Sequence, residues 1–231
     1  MNLPRGHRFG IERRIAEDAA PHGLIVMGAL HPGRAQAKGP DSGTLVLLGA
    51  GPGFWPVYAA SQEAADGAPD PVDRWSVRVI GALARDHAAR ALFPFGGPPY
   101  QPFIDWALKS GRAFPSPVGM LVHDTVGLMI SYRGALHFET EWPIGAAAAP
   151  SPCETCADRP CTTGCPVGAL SGHAPYDLAL CHDFLDTGAG QDCLTHGCAA
   201  RRACPVSAGA GRGQAQSAHH MKAFHDPWHE P

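Results

Sequence analysis

The first 152 residues contain no cysteine, and all eight cysteines lie between positions 153 and 204. Cysteine used as a small core hydrophobe would be scattered through both parts. The confinement points to thiolate chemistry in one stretch and a different task for the rest. Charge is sparse too: Asp, Glu, Lys and Arg make 17 % of the chain, and the formal net charge is −3. No basic block is present, so the sequence carries no signal for direct nucleic-acid binding. No apolar run reaches the roughly 18 residues that a membrane span needs. The first twenty residues are charged and lack the apolar core of a secretory signal. These absences predict a soluble, cytoplasmic chain with no membrane partner, in a compartment where thiols stay reduced. A hydrophobic content of 45 % suits an ordinary core.

The cysteines form two runs. The first reads Cys153-x2-Cys156-x4-Cys161-x3-Cys165-Pro166, the second Cys193-x4-Cys198-x5-Cys204-Pro205, and Cys181 stands between them. Bacterial ferredoxins hold 4Fe-4S clusters through C-x2-C-x2-C-x3-C-P, whose fourth cysteine ligates the other cluster when two are present. The first run matches this with two extra residues before its third cysteine, while the second is looser. A short loop supplies three inward-pointing thiolates and a distant residue supplies the fourth. Exchange of the fourth ligand assigns Cys153, Cys156, Cys161 and Cys204 to one cluster. Cys165, Cys181, Cys193 and Cys198 go to the other, and no cysteine is left over. Two other uses of cysteine compete. Structural zinc is held by four cysteines, often in C-x2-C pairs, and disulfide frameworks occur mostly in short secreted chains. Residues 153–204 carry three Arg, no Lys and six acids. That acidic excess predicts a redox partner of basic character.

Along the chain, 11–20 reads as a short helix and Leu24–Leu30 and 44–48 as buried strands. Gly49-Ala-Gly51-Pro-Gly53 reads as a tight turn feeding Phe54 and Trp55 into the core; a phosphate cradle is the competing reading of such a loop. Residues 61–71 read as an exposed loop. The best helix runs over 73–90, with an apolar stripe of Trp75, Val79, Ile80 and Leu83 and a cap at Asp73. Residues 91–95 suit an edge strand, because Pro94 forbids a central one. A short helix is expected over 102–110, with Phe103 and Trp106 turned inward. Residues 126–132 and 135–138 read as a hairpin turning at Arg133-Gly134. Gly145 to Pro150 reads as a joint.

Several of these stretches resemble the epoxyqueuosine reductase family, which is related to the reductive dehalogenases. The first cysteine run with Cys181 following it is the specific part. Arg85-Asp86-His87 and the run Val126-Gly-Leu-Met-Ile-Ser-Tyr-Arg-Gly-Ala-Leu136 are softer matches, and the resemblance spans 40–206. It implies a cobalamin-binding domain ahead of two 4Fe-4S clusters, with the same two cysteine quartets as ligands. The sequence departs from the family where an acidic proton donor is expected: Phe114-Pro-Ser-Pro-Val118 has no Asp. The family's tRNA-holding helical repeat domain has no counterpart, so epoxyqueuosine reduction is not carried over.

These observations predict an α+β chain. Residues 1–150 form a mixed domain with a cofactor or substrate pocket, 151–206 a ferredoxin-like module with two 4Fe-4S clusters, and 207–231 a His-rich tail. The expected function is single-electron transfer. The alternatives are a cobalamin-dependent reductase, whose cofactor carries the chemistry, and a zinc-stabilised binding module. His219, His220, His225 and His229 read as groups on a solvated tail, and His182 and His196 as neighbours of cysteine ligands or surface groups.

Overall fold

The computed structural model describes residues 10–33, 39–145 and 150–229. The joint expected at 145–150 therefore lies mostly outside the described residues. In chain order the elements are α1 (Gly10–Ala19), β1 (Leu24–Leu30), β2 (Thr44–Ala50), α2 (Phe54–Ala59), α3 (Gln62–Ala65) and α4 (Pro71–Asp86). Then follow β3 (Arg90–Leu92), α5 (Phe103–Lys109), β4 (Ala113–Pro115), β5 (Leu121–His123) and β6 (Tyr132–Phe138). The C-terminal part is helical, with α6 (Leu178–Leu185), α7 (Gln191–His196), α8 (Ala199–Ala203) and α9 (Gln214–His225). Helices beside small antiparallel sheets make this an α+β chain. Among the described residues no helix is long and apolar enough to cross a membrane.

Two compact units divide the chain. The first takes the described residues up to Ala113 and those from Ser131 to 145. Its sheet has the order β1-β2-β6-β3 with every neighbour antiparallel. The run Thr44-Leu-Val-Leu-Leu-Gly-Ala50 is apolar without alternation, and all of β2 is buried. α4 lays Trp75, Val79, Ile80 and Leu83 into the core that Val46, Leu48 and Leu136 share. Proline opens α4 and Asp70 precedes it; no side chain caps it. Asp73 is instead paired with Arg133 at 3.3 Å. Phe54 packs edge-on against Trp75 at 5.2 Å. The glycine turn before it uses its donors internally: Gly51 N–H binds the Gly23 carbonyl at 2.9 Å and Phe54 N–H that of Gly51 at 3.1 Å. Those bonds favour the tight turn over a phosphate cradle. Residues 61–71 are not wholly loop, since α3 forms there with Glu63 buried.

The hairpin expected over 126–138 is replaced by the single strand β6. Arg133 and Gly134 lie inside it rather than at a turn. Gly134 serves close packing: a Cβ there would stand 2.8 Å from Ile80 Cδ1 on α4. Residues 126–129 are apolar and buried, yet their partners are not a ladder. Gly127 N–H binds the His123 carbonyl at 3.0 Å, and Leu128 N–H binds Ser207 Oγ at 3.1 Å.

The second unit takes Phe114–Ile130 and the described residues from Pro150 onward. The division thus differs from the expected boundary at 150, because the β4–β5 hairpin and the buried run after it pack with the cysteine stretch. The reading of 207–231 as a solvated tail is also corrected for the described part. Pro205–Ala210 forms a 3-10 turn and Gln214–His225 a helix, and Gln216, Ser217, Met221 and His225 are buried.

Candidate metal centres

Short turns of the second unit aim each cysteine. At 151–154 the chain caps itself: Cys153 N–H donates to Ser151 Oγ at 3.3 Å, and Glu154 N–H to the Ser151 carbonyl at 2.9 Å. Arg159 adopts a left-handed conformation, φ 41°, and starts the 3-10 turn Pro160–Thr162 that buries Cys161. Thr162 secures this turn by donating its N–H and its hydroxyl to the Arg159 carbonyl, both at 2.9 Å. Gly164 lets the loop meet α8, since a Cβ there would lie 3.0 Å from the Ala203 Cβ. A longer side chain would push the two cysteine runs apart.

The second run is carried by helices. Cys181 lies in α6, whose first turn is capped by Asp177 accepting from Leu180 N–H at 2.9 Å. Cys193 lies in α7 and is buried. Cys198 precedes α8 and Cys204 follows it. Six residue steps at 1.5 Å separate those two Cα atoms by about 9 Å.

All eight cysteines are free thiols. Cys153, Cys156, Cys161 and Cys204 line one cavity of about 210 Å³. Cys165, Cys181, Cys193 and Cys198 line another of about 130 Å³. Water takes about 30 Å³ in the liquid, so each cavity has room for a group of several atoms. Among the described residues no three His, Cys, Asp or Glu side chains converge to hold a single metal ion. The sulfurs ring cavities instead. Cys165 ends the first run in sequence yet faces the second cavity, and Cys204 ends the second run yet faces the first.

Burial pushes the thiols of Cys153, Cys161, Cys181 and Cys193 above their ordinary pKa. Repulsion among neighbouring sulfurs acts in the same direction. Opposing it, Ser151 hydrogen-bonds Cys153, Tyr176 hydrogen-bonds Cys181, and a backbone bond from Ala199 reaches Cys193. Such thiols become ligating thiolates when a strong cation offsets desolvation and repulsion. Four free cysteines line each cavity, the number of thiolates that a metal group of four cysteine ligands requires.

The surroundings of the two cavities differ. Arg159 lines the first. Arg201 lines the second and is held by hydrogen bonds to the carbonyls of Leu128 at 2.7 Å and Ile130 at 3.4 Å. Burial draws its pKa below the ordinary guanidinium value, while Cys198 and Tyr176 oppose that shift. Tyr176 is itself pushed well above the ordinary phenol range, by burial first and then by its bond to Cys181. Beside Cys181, His182 is buried, its Nδ1 2.9 Å from His225 Nδ1, and His225 Nε2 reaches Asp186 at 3.2 Å. His225 therefore leaves the tail reading and joins this packed row. His196 pairs with Asp192 at the surface, His219 and His220 rings lie 5.8 Å apart, and His220 lines the second cavity.

Ser116, Tyr176 and Arg201 were not legible as site residues. Tyr176, an aromatic five residues before Cys181, and Arg201, three residues from both Cys198 and Cys204, carried a signal by proximity; Ser116 reaches its cavity through tertiary packing. Compared with models of known protein families the chain matches none, and no curated protein matches it.

Proposed function

We propose that the second unit holds two 4Fe-4S clusters and that the protein passes single electrons through them. The observation that carries this reading is the division of the eight cysteines into two quartets, each around its own cavity. When bound, such clusters accept and release one electron each, at potentials set by charge, burial and hydrogen bonds to sulfur. The chain's own part is to supply thiolates, exclude water and fix charge near them. Leu128, Val122 and Pro117 wall the first cavity. Met120, Leu170 and Phe184 wall the second. α8 joins the two sites over a single short helix.

The partner we propose is a basic redox protein. Leu178 and Leu180 are exposed on α6, where Asp177 and Asp183 flank them and Cys181 follows. The resemblance to epoxyqueuosine reductases extends the reading to a cobalamin-dependent reductase in which the first unit holds the corrinoid.

The test is metal analysis of protein purified without oxygen, incubated with cobalamin and desalted. About eight iron and eight sulfide per chain is expected. Stoichiometric cobalt retained beside them supports the cobalamin reductase, and its absence supports a plain electron carrier. Zinc in place of iron overturns both.

A further inference from the structure

Among the residues that line the first cavity, Ser116 has a buried polar side-chain atom without a partner among the described residues. Ser116 is 9 % exposed, and it lines the cavity of Cys153, Cys156, Cys161 and Cys204. Its Oγ is buried and has no hydrogen-bond partner among the described residues. Its backbone is fully engaged in the β4–β5 turn: Ser116 N–H donates to the Met120 carbonyl at 2.9 Å, and the Ser116 carbonyl accepts from Gly119 N–H at 3.0 Å. Pro115 and Pro117 flank it, and proline fixes its own φ and restricts the residue before it. The hydroxyl is thus carried on a stiff turn, and its proton can rotate to suit a partner. A buried hydroxyl left unpaired is costly, and in native structures each such group calls for a partner or a role.

We propose that Ser116 donates its hydroxyl proton to a sulfur of the group held by Cys153, Cys156, Cys161 and Cys204, and thereby raises the reduction potential of that site. This rests on the iron–sulfur reading above. An added electron increases negative charge on the sulfurs, so a proton donor beside one of them stabilises the reduced form more than the oxidised form. Ser116 is a positioning and tuning residue and not a ligand. The second cavity has its own hydroxyl in Tyr176, already bonded to Cys181, so loss of the Ser116 hydroxyl acts on one site alone.

The test is a potentiometric titration of the whole protein, followed by electron paramagnetic resonance, for wild type, Ser116→Ala and Ser116→Thr. Ser116→Ala is expected to shift one of the two reduction waves to lower potential and leave the other in place, and Ser116→Thr to keep the wild-type wave. If Ser116→Ala takes up no iron, Ser116→Thr and Ser116→Val make the same comparison at nearly constant volume. Unmoved waves at full iron content overturn the proposal, as does an equal shift of both. A wild type without iron overturns the reading beneath it, so the two failures are distinguishable.

Discussion

The first unit owes its order to apolar burial, whereas the second is built around its sulfurs. In the first, a fully buried strand and the Trp75 face of α4 close a continuous hydrophobic core. In the second, the apolar clusters are small and cysteines take part in both. Cys161 packs with Val118, Val122, Leu128 and Leu170, and Cys193 packs with Leu185 and Met221. None of α6, α7 and α8 exceeds eight residues, and helices so short are marginal without tertiary support. On the iron–sulfur reading proposed above, the clusters stand where another domain would place a core, and their binding and the folding of this unit are one event.

The largest expected effect follows from removing the metal. Chelation under reducing conditions should release the fold of the second unit and leave the first intact. Amide exchange would then become fast in α6 to α9 while β1, β2 and β6 stay protected. Equal protection of both units after iron loss breaks the comparison. Next in size, each of Cys181→Ser and Cys204→Ser should retain about four iron per chain in place of about eight. Their double variant separates the interlocked arrangement, which it leaves without iron, from a sequential one, which keeps about four. Cys204→Ser should remove the site of Cys153, although its sequence neighbour Cys198 serves the other. Full iron in Cys181→Ser sinks the assignment.

A substitution in the first unit should act through packing alone. Trp75→Ala is expected to cost about 3–5 kcal/mol in denaturant unfolding of that unit, with iron content unchanged. The smallest effect concerns a surface-proximal ion pair. The Glu63 carboxylate, with its side chain 5 % exposed, accepts from Arg78 Nε at 2.5 Å. That hydrogen bond holds its pKa down at about 2. The contribution is therefore present above the ordinary carboxylate value, near 4.3, and is lost as pH falls toward 2. Because half of Arg78 is exposed, Glu63→Gln should cost only about 1–2 kcal/mol at pH 7. The difference from wild type should vanish near pH 2, read from exchange in β2.

Much of the first unit was legible because its elements announce themselves locally. The unbroken apolar run of β2, the period of Trp75, Val79, Ile80 and Leu83, and Pro94 after β3 each follow from period or backbone chemistry within one segment. The hairpin reading of 126–138 failed because an apolar run does not say what covers it. Leu128 gives its N–H to Ser207 Oγ, a residue 79 positions away, and Gly134 is small for the sake of Ile80 rather than for a turn. The histidines misled for a similar reason: their spacing suggested a tail, while α9 buries His225 against His182.

By itself the sequence determined that the chain is α+β and that its thiols are gathered in one stretch, because periodicity, proline and cysteine spacing are local properties. The spacing also offered the two cysteine quartets, whereas only the tertiary structure decided that Ser116, Tyr176 and Arg201 line the same cavities. Those neighbours come from a hairpin, a loop and a helix brought together by packing, and no local rule specifies which distant segments will meet.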